Sequence, residues 1–156
     1  MKYVDTQVVF REVPDEVTLA INISGCPVKC PGCHSSYLAR DIGETLDRES
    51  LHMLVSSNPG ITCVSFMGGD ADPMGVAALA AEVKKWGLKT CWYSGRGLEQ
   101  AADVIPSLDF IKVGPYIDEC GPLDYPTTNQ RFYRVEHGEG DSVLTDWTER
   151  FRKKIF

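Results

Sequence analysis

Three cysteines, Cys26, Cys30 and Cys33, follow one another in the pattern C-x-x-x-C-x-x-C. Thiolates this close along one loop converge on a single metal centre without help from distant parts of the chain. Three is the informative count, because a structural zinc ion takes four closed ligands and a cubane iron-sulfur cluster is ordinarily held by four cysteines. A three-cysteine loop leaves one coordination position open, and an open position is what a reactive centre keeps for its substrate. The bland reading of the same residues is a zinc knuckle completed by His34 or by a more distant side chain, which makes a binding module without catalysis. Cys63 and Cys91 lie inside apolar segments and read as small core residues, whereas Cys120 falls in a turn-rich stretch and has no assigned role.

The cysteine loop needs a frame. Glu16 to Ser24 alternates and is rich in β-branched residues, which predicts a strand ending at Gly25. Pro27, Pro31 and Gly32 keep the following stretch irregular, so the cysteines sit on a loop. Thr45 to Glu49 offers capping residues ahead of Leu51, Leu54 and Val55, predicting a helix from Asp47 to Ser57 stopped by Asn58-Pro59-Gly60. Ile61 to Met67 reads as a buried strand, Gly68-Gly69-Asp70 as the turn at its carboxyl end, and Pro73 to Trp86 as an Ala-rich helix closed by Gly87. Lys89 to Tyr93 is a further strand with a turn marked by Gly95 and Gly97, Leu98 to Val104 a short helix, and Leu108 to Val113 a last strand before Gly114-Pro115. Beyond Tyr116 the reading is looser: turns over Gly121 to Asn129, an antiparallel strand at Arg131 to Val135, and a capping helix around Trp147, Phe151 and Ile155.

Strands alternating with helices imply right-handed βαβ units and a parallel sheet, whose working site lies at the carboxyl ends of the strands. The expected fold is therefore α/β, as a short partial (βα) barrel or an open, mostly parallel sheet, in one domain over residues 1–156. The cysteine loop, the Gly68-Gly69-Asp70 turn, the Tyr93-Ser94-Gly95 turn and the Gly114-Pro115 turn would then share one rim.

Composition limits the partners. With 16 basic against 22 acidic side chains and a net charge of −6, the chain has no surplus of cations to replace the counterions of a nucleic acid. No basic segment followed by a long apolar run opens the chain, and no stretch reaches the length needed to span a bilayer, so a cytoplasmic protein without membrane contact is expected. In that reducing compartment six cysteines point to metal or redox chemistry rather than disulfides.

The cysteine spacing directly after a strand resembles that of the radical S-adenosylmethionine enzymes. The resemblance implies a 4Fe-4S cluster held by Cys26, Cys30 and Cys33, whose fourth iron binds the amino and carboxylate groups of S-adenosylmethionine. Gly68-Gly69-Asp70 stands where that family carries a Gly-Gly-acid turn contacting the methionine amino group, although Ala71 and Asp72 intervene before Pro73; Asp70 is the favoured acid and Asp72 the alternative. Glycine before the third cysteine, aspartate in the turn, the phrase Ile111-Lys112-Val113-Gly114-Pro115-Tyr116 and the later Thr128-Asn129-Gln130-Arg131 are similar to one branch, the activating proteins of anaerobic ribonucleoside-triphosphate reductase. The likeness covers nearly the whole chain. It implies that Gly32, Cys33 and His34 lie near the adenine, that Ser94 reaches the methionine or ribose, and that a flavodoxin-like or ferredoxin-like donor reduces the cluster. The implied reaction is reductive cleavage of S-adenosylmethionine to methionine and a 5′-deoxyadenosyl radical, which takes hydrogen from a glycine α-carbon of the reductase and leaves a glycyl radical there. Activity on another glycyl radical enzyme or on a small molecule is the rival within the same family.

Plainer readings stand beside these. Gly-Gly-acid turns are frequent, and only its place after a strand raises this one. His52 and His137 read as surface or helix residues, and Trp86, Trp92 and Trp147 as packing. Lys112 has two readings, a cation holding a carboxylate or a solvent-facing residue at a sheet edge. The Thr128 to Arg131 run taken alone is a polar turn.

Overall fold

The computed structural model describes residues 1–25 and 43–151. Cys26, Cys30, Gly32, Cys33 and His34, and the end of the expected terminal helix at Ile155, lie outside the described residues. One sheet carries β1 (Lys2–Val9), β2 (Thr18–Ile23), β3 (Glu44–Thr45), β4 (Cys63–Met67), β5 (Lys89–Tyr93), β6 (Phe110–Val113), β7 (Arg131–His137) and β8 (Ser142–Asp146). Its order is β3-β1-β2-β4-β5-β6-β7-β8, with β2, β4, β5 and β6 parallel and the flanking pairs antiparallel. Of the two arrangements open to the sequence, the open sheet is the one formed, and it is parallel only in its centre.

The helices are α1 (Arg48–Ser56), α2 (Pro73–Lys85) and the short α3 (Leu98–Ala101). At α1 the Ser50 N–H donates to the Asp47 carboxylate at 2.9 Å while the Asp47 N–H donates to the Ser50 hydroxyl at 2.9 Å, a reciprocal cap that starts the helix where the sequence places it. The helix expected from Leu98 to Val104 is cut short: Pro106 disfavours α geometry at Ile105, and a 3₁₀ turn over Ile105–Ser107 leads into β6 instead. Likewise a single 3₁₀ turn, Thr148–Phe151, stands where a capping helix was expected to begin.

Strands β1, β3 and β8 add to the strands that the sequence pattern predicts. Asp5 and Gln7 in β1 are exposed, and most of β8 is exposed or half-buried, so the alternation that marks a strand buried on one face is diluted. Their existence depends on pairing with β2 and β7, which the local sequence does not encode.

Alternation along the central strands splits the sheet into two faces. Leu19, Ile21, Val64, Phe66, Trp92 and Ile111 point to the helices and pack with Leu51 of α1 and Val76, Ala80 and Val83 of α2. On the opposite face a smaller cluster of Val13, Cys63, Cys91, Phe110 and Phe132 is covered by the segment between β1 and β2 and by Leu123, Trp147 and Phe151. Among the described residues, no helix is long and apolar enough to cross a membrane.

Candidate functional site at the carboxyl rim

Strand β2 leaves the sheet at Ile23, three residues before Cys26. Its parallel neighbour β4 runs in register, Asn22 beside Met67, so the Gly68-Gly69-Asp70 turn departs against the same point. A Cβ on Gly68 would sit 3.1 Å from the Ile23 carbonyl oxygen, and one on Gly69 would sit 2.7 Å from Val76 Cγ2. Both residues also hold positive φ, +106° and +91°. Glycine is thus required twice over at this turn, by backbone conformation and by close approach to β2 and α2.

The two acids of the turn divide. Asp72 is exposed and caps α2, accepting the Gly75 N–H at 3.0 Å, while its own N–H donates to the Gly69 carbonyl at 3.0 Å. Asp70 turns inward and is 2% exposed. One carboxylate oxygen accepts the Ser94 hydroxyl at 2.5 Å and the other the Gly95 N–H at 3.1 Å, which joins the β4 turn to the β5 turn. Ser94, itself buried, accepts the Arg96 N–H at 3.0 Å, so its hydroxyl is engaged within the rim on both sides. Among the described residues no cation pairs with Asp70.

Backbone bonds knit the remaining turns together. The Gly68 N–H donates to the Tyr93 carbonyl at 3.0 Å, the Ser94 N–H to the Lys112 carbonyl at 2.8 Å and the Gly114 N–H to the Arg96 carbonyl at 2.8 Å. Asn129 donates through Nδ2 to the Pro115 carbonyl at 3.0 Å, and Gln130 lies against Gly114, so the Thr128 to Arg131 run packs on the rim turn of β6. The common rim inferred from the strand order is present for the turns after β4, β5 and β6, with the chain entering the cysteine stretch beside them.

Below the rim, on the face away from the helices, Asp5, Asn22, Met67, Tyr93, Lys112 and Phe132 form one row across six strands. Lys112 is 8% exposed, in an interior strand, which removes the sheet-edge reading. Its Nζ donates to the Gly114 carbonyl at 3.1 Å and stands 5.7 Å from the centre of the Tyr93 ring. The Tyr93 hydroxyl donates to the Glu12 carbonyl, and burial, with Cys91 nearby, holds this phenol well above its ordinary titration range. A cavity of about 580 Å³ opens on the same side, between Phe10, Glu12, Tyr93, Leu123 and Arg150.

Cys63 and Cys91 are fully buried, and burial pushes both thiols up, Cys91 to about 12 and Cys63 further. Thiols kept protonated are neither ligands nor nucleophiles, in accord with their reading as core residues. Cys120 is half-buried in a turn. His52 meets Trp86 edge-on at 5.1 Å on the outer surface, and His137 contacts the Leu108 carbonyl through Nε2 at 2.6 Å, both away from the rim. No group of three or more His, Cys, Asp or Glu side chains among the described residues could hold a metal ion.

The turns after β4, β5 and β6 of an open α/β sheet thus gather at the end of β2 from which the chain runs on toward Cys26. Residues 16–129, well over half of the chain, match the 4Fe-4S single cluster domain, and the chain belongs to that family. It is an iron-sulfur protein. The matched region contains Cys26, Cys30 and Cys33 as well as the whole Gly68 to Ser94 part of the rim. A loop of three thiols is a donor set that fits such a cluster. Comparisons with curated proteins and with solved structures find no match.

Proposed function

We propose that this protein is a radical S-adenosylmethionine enzyme that generates a glycyl radical on anaerobic ribonucleoside-triphosphate reductase. The observation that carries the reading is Asp70, a buried carboxylate met by no cation among the described residues, at the rim where β2 leads toward Cys26. In this reading Cys26, Cys30 and Cys33 hold the 4Fe-4S cluster and leave one iron for the methionine end of the substrate. Such a cluster, when bound and reduced by a flavodoxin-like or ferredoxin-like donor, would supply the one electron needed for reductive cleavage of the sulfonium to methionine and a 5′-deoxyadenosyl radical.

The chain's own residues bind and orient. Asp70 receives the methionine ammonium, and the glycines of the turn let backbone approach the ligand without a side chain in the way. Ser94 and the Gly95 N–H keep the Asp70 carboxylate from rotating away. Gly32 and His34, beside Cys33, are assigned to the adenine by the family resemblance. The branch-like residues from Ile111 to Tyr116 and from Thr128 to Arg131 are what favour the reductase as partner, and they are joined through the Asn129 contact to Pro115.

The test is anaerobic reconstitution with iron and sulfide, addition of dithionite and S-adenosylmethionine, and assay of 5′-deoxyadenosine for wild type and Cys30→Ala. Formation that depends on Cys30 supports the reading. Zinc in place of iron, with no cleavage, overturns it in favour of a binding module. Transfer of the radical to the reductase is then read as a glycyl signal by electron paramagnetic resonance.

A further inference from the structure

We infer that Trp92 is a positioning residue for the ligand-binding turn, acting through its indole N–H rather than through its bulk; the inference rests on the S-adenosylmethionine reading of that turn. Trp92 is 1% exposed and lies among the helix-facing core residues, where packing alone would account for a large apolar side chain. Its Nε1–H, however, donates to the Gly68 carbonyl at 2.6 Å. That carbonyl belongs to the first residue of the Gly-Gly-Asp turn, and the Gly68 N–H is held on its other side by the Tyr93 carbonyl at 3.0 Å. The peptide units flanking Gly68 are therefore pinned from two consecutive residues of β5, one through backbone and one through side chain.

The pin is needed where it stands. Two successive glycines with positive φ give a backbone with many accessible conformations, and glycine loses more freedom on ordering than any other residue. Asp70 follows directly, and its carboxylate reaches Ser94 and Gly95 only if the turn keeps its path. Residues 92 to 95 thus hold the turn at both ends, the indole at Gly68 and the Ser94-Gly95 pair at Asp70. Phenylalanine fills most of the same space but has no donor, so the chemical requirement is for the N–H.

The experiment replaces Trp92 by 3-benzothienylalanine, which keeps the ring shape and puts sulfur in place of the N–H, with Trp92→Phe as the second variant and Leu51→Ala in α1 as a control for general loss of core stability. Two quantities are read on the reconstituted protein: hydrogen exchange at the Gly68 and Asp72 amides, and equilibrium affinity for S-adenosylhomocysteine, which is not cleaved. The expected result is roughly tenfold faster exchange at those two amides and roughly tenfold weaker binding for both Trp92 variants, with the control leaving the two readouts at wild-type values. The inference is overturned if the sulfur analogue matches wild type in both, or if the control moves both as far as the analogue does. Failure of wild type itself to bind S-adenosylhomocysteine sinks the adenosylmethionine reading instead, while the exchange data still decide whether the indole holds the turn.

Discussion

On the helix-covered side of the sheet, β2, β4 and β5 present Leu19, Ile21, Ile23, Val64, Phe66 and Trp92, all nearly inaccessible to solvent. On the other side the same strands present Thr18, Ala20, Asn22, Ser65, Met67 and Tyr93, which are smaller or carry a polar atom. One face concentrates apolar burial, at roughly 25 cal/mol for each Å² removed from water, and the other gives up part of that gain to place hydroxyl, amide and ammonium groups under the rim. The division lets a rigid scaffold carry a site whose own groups are not optimal for stability.

A pair of substitutions in β4 tests this division directly. Phe66 and Met67 are neighbours in sequence on opposite faces, and Phe66→Ala should lose about 3–5 kcal/mol in urea denaturation against under about 2 kcal/mol for Met67→Ala. Equal losses would show that the second face is packed as tightly at Met67 as the helix-covered face is at Phe66. Asp70→Asn comes next: it keeps the shape and removes the buried charge, so binding of S-adenosylhomocysteine by the reconstituted protein should weaken by about 10- to 100-fold while the melting temperature holds or rises. A fall in melting temperature with unchanged binding would make Asp70 a structural clasp only.

Gly69→Ala sharpens the boundary between the faces, because its Cβ would strike Val76 of α2 at 2.7 Å in a backbone of positive φ. A loss of about 1–3 kcal/mol is expected, read by the same denaturation, and a neutral result would mean that α2 gives way freely. The smallest effect concerns the helix-covered side alone. The Ser50 N–H, and then its hydroxyl, hold the Asp47 carboxyl below its ordinary range. That contribution to stability is present above the usual carboxylate pKa and is lost as pH falls through the lowered folded value. Asp47→Asn caps without titrating, so the melting-temperature gap between wild type and this variant should change between pH 7 and the acid side of that range, and a constant gap would remove Asp47 from the acid response.

The cysteine spacing, the central strands and the helices α1 and α2 are legible from residue order because each depends on neighbours: period-two alternation, a reciprocal cap, a proline and a glycine at the ends. The strand expected over Lys89 to Tyr93 and the helix beginning at Pro73 stand where the pattern puts them. The antiparallel additions β1, β3 and β8 are not legible, since half-exposed strands carry little alternation and exist by virtue of partners distant in the chain. Residue order favours Asp70 over Asp72 only by its place directly after the two glycines, and says nothing of which way either side chain turns. Only the arrival of β5 beside β4 turns one of them inward to Ser94 and leaves the other to cap a helix.

Residue order alone sets the chemistry on offer: three cysteines spaced C-x-x-x-C-x-x-C, glycines where backbone must bend, and an alternating strand-helix order that sends the turns after β4, β5 and β6 toward one rim. How the rim is held is settled by the packed sheet: the Trp92 indole on the Gly68 carbonyl, the Asp70 carboxylate between Ser94 and Gly95, and Lys112 in an interior strand instead of at an edge. The two differ in range. Caps, turns and periodicity act over a few residues, whereas a buried hydrogen bond between strands depends on register, and register is set by the packing of the whole sheet.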